Sequence, residues 1–183
     1  MTIRAYEEKD REAVRFVCLN SDGPCEDDEA GQHFLLTTYC DYYIEREPGT
    51  CFVCVDDADH AVGYVFCAAD FDRFWNAFLT DFLPRIPEND VGRRYAASVY
   101  DLQNKHKKQY PAHLHIDLLP EAQRRGQGRA LMNALLAGLK ADHVPGLMLS
   151  VWKDNAGAIR FYEKLGFTRI DETENFYAYG IFL

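Results

Sequence analysis

Residues 113–140 read HLHIDLLPEAQRRGQGRALMNALLAGLK, and their order decides the fold. His113 to Leu119 alternates polar and apolar residues, as a half-buried strand does. Gln123-Arg124-Arg125-Gly126-Gln127-Gly128 then makes a turn. Beyond it, Leu131, Ala134, Leu135 and Leu139 fall on one helical face. The stretch therefore reads as strand, glycine-containing loop, helix. A helix start leaves about four backbone N–H groups unpaired and carries partial positive charge, so it suits an anion. Gly126 and Gly128 let the backbone approach a ligand without a Cβ, and Arg124, Arg125 and Arg129 add fixed positive charge. A pyrophosphate fits such a loop. The plainer reading is a helix start that happens to hold two glycines. Neither GxxxxGK(S/T) nor GxGxxG is present, which excludes a Walker A loop and a Rossmann fingerprint.

A second motif follows. Residues 147–167 read LMLSVWKDNAGAIRFYEKLGF. Leu147 to Trp152 is a strand candidate, Asp154 or Asn155 can cap a helix to about Leu165, and Gly166 can end it. An amphipathic helix with a glycine stop explains the periodicity, but not Asn155 or Tyr162. The loop order Gln/Arg-x-x-Gly-x-Gly/Ala, behind a strand and before a helix, resembles the acyl-CoA loop of the GNAT N-acetyltransferase superfamily. Asn155 to Phe167 is similar throughout to that family's NxxAxxFYxxxGF pattern. The resemblance covers the chain apart from one insertion.

Composition sets the outer bounds. A chain of 183 residues suits one domain, taken as 1–183, with a sizeable core. A hydrophobic content of 48% and an aromatic content of 14% argue for a folded globule. No apolar run is long enough to span a membrane, and the charged start MTIRAYEEKDREAV carries no apolar signal segment, so a cytoplasmic location is expected. The six cysteines are then expected to be reduced and mostly buried. Cys51 and Cys54 form a CxxC within a β-rich run, where residues three apart face opposite sides, so no metal is expected. The net charge of −9 argues against nucleic acid as the main partner and leans weakly towards a cationic acceptor.

Taken in order, Thr2 to Tyr6 reads as a first strand and Asp10 as the cap of a helix to Leu19. Residues 20–31 are a loop carrying the acidic run Glu26, Asp27, Asp28 and Glu29. Gln32 to Glu47 reads as a second helix stopped by Pro48-Gly49. Thr50 to Val55 and Ala61 to Ala69 form a hairpin, in which Gly63 marks a bulge or a close backbone approach. Residues 70–112 are an insertion between the third and fourth strands. Phe71, Phe74, Trp75, Phe78 and Phe82 repeat at helical spacing until Pro84 and Pro87, and a second helix runs from about Val91 to Lys108. The insertion reads either as a lid or wall of the acceptor site, or as extra packing or a dimer surface. Lys105 to Lys108 reads as a helix C-terminus complementing the dipole. Tyr110-Pro111-Ala112 with the following HLHID, together with the insertion, looks like the acetyltransferase-like C-terminal domain of O-GlcNAc hydrolase and its bacterial relatives. Thr168 to Asp171 and Phe176 to Leu183 read as the last strands.

The resemblance implies an α/β fold, a single GNAT domain with a mixed, mostly antiparallel, splayed sheet flanked by helices. It implies acetyl-CoA as co-substrate, its pyrophosphate on Gln123, Arg124, Arg125, Gly126, Gln127, Gly128 and Arg129. Backbone groups near Ile116 and Leu118, freed where the strands splay around a bulge, would pair with the pantetheine arm, and Asn155 would contact it. Tyr162 sits where the family's general acid sits, and a phenol suits a departing thiolate. The base is read from the residues: His113, His115 and Asp117 share one strand face, with Asp117 ranked first, His115 next and His113 third. The expected activity is acetyl transfer to a primary amine, on a small molecule or a peptide, by direct attack in a monomer or homodimer. The alternative is a non-catalytic acetyl-CoA-binding module.

Overall fold

The computed structural model describes residues 1–25, 28–86 and 91–183. One seven-stranded sheet has the order β1-β2-β3-β4-β5-β7-β6. Its strands are β1 (Thr2–Ala5), β2 (Phe52–Val55), β3 (Ala61–Ala68), β4 (Ala112–Leu118), β5 (Gly146–Trp152), β6 (Thr168–Glu172) and β7 (Phe176–Phe182). Every neighbouring pair is antiparallel except β4 with β5. That exception needs a crossover, and α7 (Gln127–Ala141) supplies it.

Helices cover both faces. Before β2 come α1 (Arg11–Asn20), α2 (Glu29–Leu36) and α3 (Tyr42–Arg46). Tyr43 of α3 stacks on Phe66 of β3. The opposite face is taken by α7, whose Gly138 abuts Phe52, a strand partner of Val65. After β5, α8 (Ala156–Lys164) packs against α7 where Phe161 meets Gly128. Apolar burial on both faces supplies the main driving force for this arrangement.

The connection between β3 and β4 is helical, with α4 (Phe71–Ala77), α5 (Val91–Ser98) and α6 (Asp101–His106). Phe71, Phe74, Phe78 and Phe82 are fully buried around Tyr42, Tyr43 and Tyr100, so the first half of the insertion is core. The helix expected over 91–108 is instead two helices broken at Val99 and Tyr100. The break buries the Tyr100 ring and lets its hydroxyl donate to the Thr38 carbonyl. Lys105 and His106 pair with Asp171, and Lys107 pairs with Asp72, which ties the insertion to β6 and α4. Lys105 and His106 also lie in the last turn of α6, the helix C-terminus expected for them.

Other boundaries differ from the sequence reading for local reasons. The helix expected from Gln32 starts at Glu29, because the Asp28 carboxylate accepts from Gly31 N at 3.0 Å. A π-helical turn, Thr37–Asp41, separates α2 from α3. Asp10 does not cap α1 with its side chain; it takes a bidentate pair from Arg4 and the amide of Glu7. Glu26, Asp27 and Pro87 lie outside the described residues.

Gly63 serves both roles expected of it. The β2–β3 register shifts at Cys54/Val55, beside it. A Cβ at Gly63 would stand 2.3 Å from Leu118 Cδ2 and 3.1 Å from the Asp117 carbonyl. Gly63→Ala should therefore destabilise the fold by about 1–3 kcal/mol through overpacking. Denaturant unfolding checks this, and unchanged stability would show that β4 can shift freely at this point.

Candidate functional site

The site is built on the two edges of β4. On one edge, β4 pairs with β3 in unbroken register from Ala68↔His113 to Gly63↔Leu118. On the other it pairs with β5 only at Ala112↔Leu147 and His113↔Met148. Beyond His113 the two parallel strands part, and residues 114–118 have no strand on that edge. Ile116 and Leu118 lie on this stretch, as expected. The parting needs no bulge in β4, contrary to what the resemblance implies, since its register with β3 is regular.

The loop after β4 continues this exposure of backbone. A 3-10 turn, Pro120–Ala122, leads into it. Arg124 (φ 58°) and Gly126 (φ 85°) are both left-handed, which turns successive amides to one side. Among the described residues, no amide from Arg124 through Arg129 has an acceptor; the first that does is Ala130, bonded to Gly126 O at 3.1 Å. Arg124, Arg125 and Arg129 are exposed around this group. A Cβ at Gly126 would meet nothing within 4 Å, so the loop faces open space there.

The other expected loop residues do different work. Gln123 turns inward, its Nε2 donating to Ser21 O (3.1 Å) and Leu118 O (2.8 Å). It fastens the loop to the end of β4. Gln127 Oε1 accepts from Cys54 Sγ at 3.8 Å, so its side chain also points into the protein. Gly128 is small because Phe161 lies 3.3 Å from the place of its Cβ. Gly128 can meet a ligand only through its backbone, and the bonded amide ends of Gln123 and Gln127 are turned inward.

His113, His115 and Asp117 do share one face, opposite Ala68, Phe66 and Tyr64 in turn. Their surroundings separate them. His113 is fully buried among Phe71, Phe74 and Tyr100, and its Nε2 shares a 2.9 Å hydrogen bond with the Tyr43 hydroxyl. Burial, with the charge of His115, holds it well below the usual imidazole range. His115 is part-exposed and edge-on to Tyr39, and burial pulls its pKa down to about 4. Both imidazoles are therefore neutral at pH 7. Asp117 accepts a 2.6 Å hydrogen bond from the Tyr64 hydroxyl. Burial pushes its carboxyl up to about 6, against the pull of hydrogen bonds from Tyr64 and Ser21.

Tyr162, on α8, is buried, and its phenol is raised above the ordinary range by burial and by the charge of Asp117. The structure thus brings Asp117 and Tyr162 to the same open end of β4, with His115 two residues before Asp117. Asn155 is the cap of α8, its Oδ1 accepting from Ala158 N at 3.0 Å. Aromatic residues that sequence reasoning missed continue the face outward. Tyr39, in the π-helical turn, stands edge-on to Phe34, and Phe34 lies 5.9 Å from Tyr95 of α5. Tyr39 and Tyr64 both carry hydroxyls that feel the charge of Asp117. The available signal for Tyr64 was cross-strand: a hydroxyl at a buried β3 position paired with a strand carrying ionisable groups.

The cysteines form no disulfide, and Cys40, Cys51, Cys54 and Cys67 are buried. Cys51 Sγ points to the carbonyls of Tyr43 and Glu47, whereas Cys54 Sγ points to Gln127 across the sheet. Among the described residues, no group of three or more His, Cys, Asp or Glu side chains is placed to hold a metal ion. No helix there is long and apolar enough to cross a membrane.

Comparison with known proteins agrees with this geometry. The mycothiol acetyltransferase of Streptomyces griseus subsp. griseus is 45% identical over 53 residues, 29% of this chain and 17% of that protein. The ribosomal protein bS18-alanine N-acetyltransferase of Escherichia coli K12 is 43% identical over 58 residues, 32% of this chain and 39% of that protein. The chain thus spans well under half the length of both curated relatives. The crystal structure of a protein called SsHAT superposes with a TM-score of 0.84 at 32% identity, over 99% of this chain and 97% of that one. A model of the acetyltransferase (GNAT) family matches residues 17–167, and the chain belongs to that family.

Proposed function

We propose that this protein transfers an acetyl group from acetyl-CoA to a primary amine by direct attack, with no covalent enzyme intermediate. One observation carries the reading. The unpaired edge of β4 leads, through the turn Pro120–Ala122, into a loop whose amides, Arg124 to Arg129, have no acceptor among the described residues. An extended, amide-bearing arm can add itself to that edge as a strand does. A pyrophosphate at its far end would take the free amides, with Arg124, Arg125 and Arg129 neutralising its charge. Binding on this track brings the thioester to the residues between His115 and Asp117.

Each chemical task then has a group. Asp117, titrating near 6, is ionised at pH 7 and takes the proton from the ammonium. His115, neutral and next along the face, is the second choice, and His113 is enclosed by Tyr43 and aromatic rings. The nitrogen lone pair attacks the thioester carbon, and β4 backbone N–H groups near Ile116 and Leu118 stabilise the carbonyl oxygen as it gains charge. The carbon–sulfur bond breaks, and the Tyr162 phenol, held protonated by its surroundings, gives its proton to the thiolate. Asn155 uses Oδ1 to cap α8, which leaves its Nδ2 for the pantetheine. The acceptor would enter beside Tyr39, Phe34 and Tyr95, so the insertion supplies one wall through α5. Asp22 and the acidic start of α2 give that side a negative character that suits a cationic small molecule or peptide amine. Cysteines outside any disulfide fit a reducing compartment, the cytoplasm.

The test is thiol release from acetyl-CoA against polyamines, lysine peptides, amino sugars and aminoglycosides. Release is expected with one acceptor class, and Tyr162→Phe should slow it by about a hundredfold while acetyl-CoA affinity is kept. An equal rate in the variant removes Tyr162 as the acid. Tight acetyl-CoA binding with no release above the background with water would instead favour a binding module. Gly126→Glu places a side chain at φ 85° and a negative charge among the free amides, so calorimetry should find acetyl-CoA binding lost. Unchanged affinity in a folded variant would contradict the loop assignment.

A further inference from the structure

We infer that Tyr64 is a positioning residue, which holds one oxygen of the Asp117 carboxylate in a fixed place while that carboxylate takes the acceptor's proton. The inference rests on the proposal that Asp117 is the base. Tyr64 stands directly opposite Asp117 in the β3–β4 register. Its hydroxyl donates to Asp117 Oδ2 at 2.6 Å, a short bond of the kind made to an ionised acceptor. The ring has no freedom to take the hydroxyl elsewhere. It is fully buried and lies parallel to Phe66, with centroids 3.8 Å apart and planes within 5°.

The charges around Asp117 make this donor matter. Ser21 and Asp22 face it from the loop after α1, Tyr39 from the π-helical turn, Tyr162 from α8 and Tyr64 from β3. His115, on the same strand, is neutral at pH 7. Among the described residues facing Asp117 none is cationic, so its ionised form depends on hydroxyl donors rather than on an ion pair. Tyr64 is the donor whose hydrogen bond has a fixed geometry. With Oδ2 held by Tyr64, the ammonium N–H bond breaks as an O–H bond forms on the Asp117 carboxylate, and its electron pair stays on nitrogen for the attack. A tyrosine that merely filled the core would also be buried and stacked. It would not end on a carboxylate that burial raises to about 6.

The test compares the pH dependence of kcat/KM for the whole protein, Asp117→Asn and Tyr64→Phe, with one accepted amine. Tyr64→Phe keeps the ring and its stack. In the parent protein activity should rise with pH through about 6, because the carboxylate is lost as pH falls through that value. Asp117→Asn should lose this limb and at least tenfold in rate, as removal of a general base requires. Tyr64→Phe should move the limb up by about one pH unit, as loss of a hydrogen bond to a charged group implies. Its affinity for acetyl-CoA should be unchanged. A direct carbon-13 titration of the Asp117 carboxyl in the parent and in Tyr64→Phe should show the same upward displacement. If Asp117→Asn keeps the limb, the base assignment fails and this inference with it. If Asp117→Asn loses the limb but the titration and limb of Tyr64→Phe do not move, Asp117 remains the base and the positioning role is overturned.

Discussion

β4 is satisfied on one edge and abandoned on the other, and the rest of the molecule is arranged around that asymmetry. Backbone N–H and C=O groups away from water need partners. Residues 114–118 have β3 along one side and, past the pair His113↔Met148, no strand along the other. The parting is held from below by helices. α7 leaves from the end of β4 and α8 from the end of β5, and they meet where Phe161 presses on Gly128. Neither strand can swing back to close the gap without moving its own helix. The same chain then spends a left-handed pair, Arg124 and Gly126, to expose the amides of the loop. Strand edge and loop form one track whose unpaired parts flank a bonded turn, since the amides of Leu119, Ala122 and Gln123 have acceptors.

On the face above this track, aromatic packing sets the protonation states. His113 and His115 are kept neutral by burial among tyrosine and phenylalanine rings. The same burial acts in the opposite sense on Asp117, raising it to about 6. A buried carboxyl of this kind costs stability, since the folded state disfavours its charged form. The cost grows as pH rises from the ordinary carboxylate range through about 6, and it is complete above that. Holding a carboxyl near neutrality thus works against the fold. The core formed by Tyr43, Tyr100 and the phenylalanines of the insertion offsets it locally. The first half of the insertion is packed as tightly as the sheet, as the packing reading expects, while α5 leaves Tyr95 exposed.

The strands, the glycine loop and the helix cap at Asn155 were legible because each depends on a local rule: alternation, left-handed glycine, a side-chain oxygen at a helix start. Asp117 and Tyr162 were legible through spacing and family pattern. What escaped is set by contacts between distant residues. The π-helical turns at Thr37–Asp41 and Phe78–Phe82 preserve an apolar pattern that looks continuous in one dimension. The break at Tyr100 exists because its hydroxyl reaches Thr38 from the far end of the insertion. The inward turn of Gln123 follows from carbonyls at Ser21 and Leu118, and the part of Tyr64 follows from strand register. None of these is written in the residues next to it.

The account stands or falls on whether the free backbone track is the acyl-CoA site, and amide hydrogen–deuterium exchange measures that directly. Adding coenzyme A should slow exchange in peptides covering residues 114–118 and 124–129, with little change along β1, β2 or α7 beyond its first turn. Protection confined to some other part of the surface, with these two stretches unchanged at saturating ligand, would contradict it.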